Sequence, residues 1–171
     1  AEELSKLEGD ILRQIRLRDM SKFFRGVVKS QGKDRITKIC GEENLPKSFS
    51  DWYKSVPLGD FVEICEATDL SFDDLPESGR IGIRRDQVTL PVYVEDLSSL
   101  FWILGIYCAE GWSRSNESSH QVSFRIGEEE VRERTRDAVK KVFDLEPYER
   151  EGKLTYSSKL LMKLFSNAWG A

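Results

Sequence analysis

A chain of 171 residues, 39% hydrophobic and 33% charged, is long enough for one ordinary domain or two small ones with a real apolar core. Its longest apolar run, Leu97 to Ala109, is interrupted by Ser98 and Ser99 and falls short of the roughly 20 residues of a membrane-crossing helix, so no membrane partner is expected. Cys40, Cys65 and Cys108 lack a Cys-x-x-Cys pair, which argues against a disulfide framework and a zinc knuckle; with no charged start leading into an apolar stretch and cleavage site, a cytoplasmic setting is expected.

The net charge of −4 hides a division along the chain. Leu4 to Lys38 carries ten Lys/Arg against four Asp/Glu, Glu42 to Ser78 carries two against ten, Gly79 onward balances at fourteen each, and Glu2 and Glu3 supply the remaining −2. Local sign, rather than total charge, decides where a polyanion can sit.

In chain order, Leu4, Leu7, Ile11, Leu12, Ile15 and Leu17 recur near helical spacing, and Phe23, Phe24, Val27 and Val28 continue a second amphipathic stretch. Ile36 and Ile39 mark a short basic helix, Asn44-Leu45-Pro46 a turn, and Phe49, Trp52 and Tyr53 a short helix begun by Ser48 or Ser50. Pro57 suits a first helical position, opening a helix whose Phe61, Ile64 and Cys65 face inward. These elements predict an all-helical accessory module over residues 1–78, closed by a linker at Asp73 to Gly79.

Over residues 79–171 the period changes. Ile81, Ile83, Val88, Leu90, Val92 and Val94 read as extended chain, with Pro91 confined to an edge or strand end. Asp96 caps an apolar helix, and Gly111 follows its far end, where a left-handed cap is easiest. Strands Trp112 to Ser115 and Gln121 to Ile126 flank a polar loop, an amphipathic helix runs from Glu128 to Phe143, and a hairpin across Glu149 to Lys153 leads to a last helix capped by Ser157 or Ser158. The predicted fold class is α+β, with the order helix, strand, strand, helix, strand, strand, helix after Asp96.

The segment Ile103-Leu104-Gly105-Ile106-Tyr107-Cys108-Ala109-Glu110-Gly111 is the most informative. Gly105 and Ala109 stack on one helical face beside Cys108, where small side chains let a second helix approach closely. Glu110 falls in the last turn, where the carbonyl ends of the helix disfavour a carboxylate by ~0.3–1 kcal/mol. A bound divalent cation reverses that sign; an ion pair with Arg114 is the plainer alternative.

These residues resemble the LAGLIDADG (dodecapeptide) homing endonucleases, whose motif ends in small residue, Asp or Glu, Gly. Gly105 matches the packing glycine, Ala109 the small residue, Glu110 the metal-binding acid and Gly111 the terminal glycine. Ile81-Gly-Ile-Arg-Arg, Leu90-Pro91, Ser123-Phe124-Arg125, Gly127-Glu-Glu-Glu and Leu154-Thr-Tyr-Ser-Ser look like the endonuclease region of archaeal inteins. The resemblance covers residues 80–171 and is weak before them. It implies a half-saddle (αββαββα) whose curved sheet lies on double-stranded DNA, and Mg²⁺-dependent cleavage with Glu110 catalytic and metal-binding beside Gly111.

A second acidic motif is missing from the sequence, so the resemblance implies either a second copy paired through Gly105, Cys108 and Ala109, or a second LAGLIDADG half. The half-enzyme is the expectation, since the chain starts without Met and stops at Ala171; alone it is not expected to cut DNA. Ala1 and Ala171 also differ from the Cys or Ser and the Asn that bound inteins, so protein splicing is not expected. The alternative is a LAGLIDADG-derived DNA-binding or interaction domain without nuclease activity.

If Val122, Phe124 and Ile126 turn to the helices, alternation sends Gln121, Ser123 and Arg125 to the other face. There Arg can grip guanine and Gln adenine; Arg114 and Tyr156 are further candidates and Trp112 a candidate to flank the cleft. Polar residues alternate on any half-exposed sheet, so the resemblance carries this reading. The basic stretch from Arg13 to Lys38 is explained more commonly by a solvated helix face than by phosphate contact. His120 is expected to be a surface histidine and Cys108 a packing residue.

Overall fold

The computed structural model of the protein describes residues 9–42, 45, 48–84 and 86–169. The expected helix positions at Leu4 and Leu7, the turn positions Asn44 and Pro46, and the side chains of Ile11 and Trp169 lie outside the described residues. The chain folds as an α+β protein with two antiparallel sheets, in two compact units, Ala1–Gln87 and Val88–Ala171.

The first unit runs α1 (Gly9–Gln14), β1 (Ile15–Arg18), α2 (Ser21–Gln31), α3 (Lys33–Cys40), α4 (Phe49–Trp52), β2 (Ser55–Pro57), α5 (Leu58–Ala67), a 3-10 turn at Phe72–Asp74 and β3 (Arg80–Ile83). The expectation of an all-helical module is therefore corrected. Ile15 and Leu17 are buried while Arg16 and Arg18 are half-buried, a period-two pattern set inside what reads as helical spacing. Leu17 lies opposite Val56 on one side and Ile81 on the other. Arg18 secures this pairing by donating to the carbonyls of Ile83 and Asp86 at 2.9 and 2.7 Å. Because Ile81 and Ile83 pair with β1, the break between units follows Gln87 rather than Ser78.

The core of this unit is aromatic. Phe24 meets Trp52 and Phe61 edge-on at 5.5 and 5.8 Å, a favoured geometry for ring pairs. Trp52 Nε1 donates to the buried Asp60 Oδ2 at 2.8 Å.

The second unit begins with β4 (Thr89–Pro91) and continues as α6 (Leu97–Glu110), β5 (Gly111–Ser115), β6 (His120–Arg125), α7 (Glu129–Phe143), β7 (Tyr148–Arg150), β8 (Lys153–Ser157) and α8 (Lys159–Trp169). Asp96 caps α6 by accepting from the Ser99 amide at 2.8 Å, and Ser158 Oγ accepts from the Leu161 amide at 3.1 Å at the start of α8. Glu151 and Gly152, at φ 52 and 73, make the tight left-handed turn that a two-residue hairpin needs. The strands order β5-β6-β8-β7. Val122, Phe124, Leu154 and Tyr156 are buried on one face, beneath α8 and α6, where Tyr107 stacks edge-on against Phe165 at 4.6 Å.

Candidate functional site

Helix α6 is apolar almost all round: Glu110 is its only charged residue. A helix of that kind belongs in an interior, yet it buries only Ile103 and Tyr107. Its other side leaves Phe101 68% and Leu97 56% exposed, with Gly105, Cys108 and Ala109 exposed between and beyond them. A Cβ added to Gly105 would meet nothing within 4 Å. The small-residue face expected from the sequence is thus open to solvent within this chain.

Glu110 ends this helix and is exposed. Among the described residues it forms no ion pair, so the Arg114 alternative is not realised. Gly111 differs from the expected left-handed cap: its backbone is extended, at φ −103 and ψ 155. Glycine is needed for closeness instead, since a Cβ there would stand 2.5 Å from the Tyr107 ring and 2.7 Å from its carbonyl oxygen. That contact places the first residue of β5 directly against the last turn of α6, so the carboxylate stands where helix passes into sheet.

The helix-free face of the sheet carries the second group of candidates. The register puts Arg114 opposite Gln121, Trp112 opposite Ser123 and Arg125 opposite Lys153, so Arg114, Gln121, Ser123 and Arg125 share one face. Arg114 and Arg125 are exposed and Gln121 half-buried. Ser123 is on this face but covered: it is 2% exposed, its hydroxyl lies 3.2 Å from Thr155 Oγ1, and Lys153 reaches across the strand to within 4.9 Å of the Trp112 ring centre. Tyr156 is corrected. It pairs with Val122, faces the helices at 1% exposure, and burial raises its phenol well above the usual range. It cannot meet a ligand on the open face.

Sequence reasoning missed Tyr148, Arg150, Lys153 and Thr155, which with Gln121 and Arg125 line a shallow depression of about 290 Å³. The Glu151-Gly152 turn fixes their parity and is the signal that finds them. Arg114, Arg125 and Lys153 have no carboxylate partner among the described residues, whereas Arg150 pairs with Glu151 at 3.2 Å. On the covered side Glu149 is held by Arg132 and Arg136, and those two arginines draw its carboxyl below its ordinary range. Glu151 also lines the depression but is engaged by Arg150, so Arg114, Arg125 and Lys153 leave the open face positive. His120 Nδ1 lies 2.9 Å from Ser115 Oγ at the loop edge, and Cys108 faces outward rather than into this chain's packing.

Among the described residues no group of three or more His, Cys, Asp or Glu stands together. One exposed carboxylate suits a magnesium ion, which keeps several waters and takes one or two carboxylates with substrate phosphates. It does not make a closed site alone.

No family model matches the chain. The large subunit of DNA polymerase II from Thermococcus kodakarensis is 35% identical over 114 residues, which is 66% of this chain and 6% of that protein. The chain thus spans a small fraction of the relative it matches.

Proposed function

We propose that the second unit is one half of a LAGLIDADG homing endonuclease of the intein type, a half-saddle that binds double-stranded DNA and cleaves it once a second half supplies the matching acid. The observation that carries the reading is α6 itself: an apolar helix with an uncovered small-residue face that ends in an exposed Glu110 with no ion-pair partner among the described residues. A second helix seated on Gly105, Cys108 and Ala109 brings its own terminal acid to the same pole. A Mg²⁺ ion bound at that pole would be held by Glu110 and the matching acid, and would supply activation of water and charge stabilisation at the scissile phosphate. Glu110 provides one carboxylate to it, Gly111 keeps the backbone close, and Arg114, Gln121, Arg125 and Lys153 present donors to the duplex.

A likeness limited to 6% of a polymerase subunit is what an endonuclease inserted in a host protein would give. The same likeness favours a second reading, a DNA-binding segment without nuclease activity. The two part on Glu110→Gln, tested with a second half supplied to this chain, by plasmid nicking with and without Mg²⁺. The endonuclease reading expects cleavage to fall by at least about 10²-fold, equivalent to ~3 kcal/mol at the transition state, with DNA binding retained. Cleavage that persists in the variant, or DNA binding with no Mg²⁺-dependent cleavage in the wild type, overturns it.

A further inference from the structure

The first unit holds a surface that the nuclease reading does not use. Between Ser21 and Glu42 six Lys/Arg stand against Asp34 and Glu42 alone, while Leu58 to Ser78 contains seven Asp/Glu and no Lys or Arg. The charge is thus divided along the sequence rather than evenly spread. Lys22, Arg25 and Lys29 recur on one face of α2 at spacings of three and four, and all are exposed. Gly32, at φ 86, turns the chain into α3, which opens with the exposed Lys33.

Two contacts bring these cations together. The Arg25 guanidinium lies 5.7 Å from the Tyr53 ring centre and the Lys33 ammonium 5.1 Å from that of Phe49. The two rings are 5.9 Å apart. Cations from successive helices thus converge on one aromatic pair, with Lys29 one helical turn beyond Arg25. Asp51, the acid on α4, is taken by Lys54 at 3.0 Å. Among the described residues none of Lys22, Arg25, Lys29 and Lys33 has a carboxylate partner.

Helix α7 shows what an ordinary solvated face looks like in this protein: its charges are of both signs, and Arg132 bridges to Glu129 and Glu149. Helix α2 has three cations and no acid, an arrangement that repels itself unless a polyanion lies along it. Arg25 and Lys29 are ~6 Å apart along the axis, a step on the scale of successive phosphates, and the rings limit the freedom lost when Arg25 and Lys33 are ordered.

We infer that Lys22, Arg25, Lys29 and Lys33, backed by Tyr53 and Phe49, form a second nucleic-acid surface that tracks the phosphate backbone of duplex DNA without reading sequence. This surface is independent of the nuclease reading and stands whether or not Glu110 supports cleavage.

The test is fluorescence anisotropy of the whole chain on a labelled duplex of arbitrary sequence from 50 to 200 mM salt. Arg25→Gln/Lys29→Gln/Lys33→Gln is expected to weaken binding at least tenfold and to lower the slope of log K against log salt by about 2–3, near 0.9 per lost phosphate contact. Arg125→Gln/Lys153→Gln is expected to leave that share of the slope in place. The single variants, each lowering the slope by about 1, serve if circular dichroism shows the triple variant unfolded. An unchanged slope in folded variants overturns the inference, and so does equal competition by polyglutamate, which would mark the surface as a site for acidic protein.

Discussion

Helices α6 and α7 are neighbours of nearly equal length, 14 and 15 residues, and they relate to the rest of the chain in opposite ways. In α7 sequence and surroundings agree: Thr135, Ala138, Val139, Val142 and Phe143 are buried, while Arg132 and Arg136 engage Glu149, Lys140 engages Asp144 and Glu146, and Arg134 stacks on Trp102. In α6 they disagree. Its apolar residues continue around the side that this chain leaves open, and the charge sits at the pole least suited to it. Apolar surface in excess of what a chain can bury for itself points to a contact made with something else, and here the excess is confined to the face carrying Gly105 and Ala109.

The largest effect that can break this contrast compares the two faces of α6. Ile103 is fully buried and Phe101 is 68% exposed, so Ile103→Ala is expected to cost about 2–5 kcal/mol in denaturant unfolding. Phe101→Ala is expected to change the same measurement by less than about 0.5 kcal/mol, although the side chain removed is larger. Should the two costs be similar, the outer face is packed in solution and the contrast with α7 fails.

The first unit holds the polar counterpart, a group out of place by its chemistry but accommodated within the chain. Asp60, 3% exposed, has its carboxyl raised from 3.8 to about 6, by burial first and by Glu63, against the opposing Trp52 hydrogen bond and Arg16 and Arg13 charges. The folded chain keeps this proton between 3.8 and about 6, where the unfolded chain has released it. Asp60 therefore favours folding most at low pH, and its contribution is lost as pH rises through that window. Asp60→Asn, which can still accept from Trp52, is expected to stabilise the protein near pH 7 by about 2–3 kcal/mol at 1.36 kcal/mol per unit. The gain should vanish near pH 4; an equal gain at both values, followed by thermal melting, would remove the titration argument.

Gly111→Ala is the next smaller effect. The added methyl must displace the Tyr107 ring and backbone at 2.5–2.7 Å, and overpacking of this kind costs about 1–3 kcal/mol. A melting temperature unchanged by this substitution would show that the α6–β5 junction is looser than the contact implies, and with it the placing of Glu110.

Much of the second unit was legible because its signals are local: Asp96 and Ser158 cap the helices they precede, and Glu151-Gly152 makes its own turn. What escaped depended on distant partners. Ile15 to Arg18 carries too few residues to distinguish a strand from the end of a helix, and Ile81 and Ile83, far along the chain, decide the matter by pairing with it. Tyr156 was misplaced for a related reason: its face depends on its register with Val122 on β6, a distant strand that the local Glu151-Gly152 turn does not place. The small-residue stretch of α6 was legible in the sequence, but how much of that face the chain itself covers was not, because exposure depends on everything the rest of the chain fails to cover.

Gly105 gives the smallest effect and the one that separates the two roles of α6. A glycine inside a helix costs about 1 kcal/mol relative to alanine, and nothing in this chain lies within 4 Å of the missing Cβ to justify it. Gly105→Ala should therefore stabilise the chain by itself, raising its melting temperature by about 4–8 °C for the full 1 kcal/mol in a unit of this size. Once a second helix is seated on that face, the same methyl stands in the contact, so sedimentation of this chain mixed with a separately supplied second half should show weaker pairing. Opposite signs from one methyl locate the partner helix at Gly105. Stabilisation with pairing untouched places any partner elsewhere, and the exposed face of α6 then loses its explanation as half of a two-helix site.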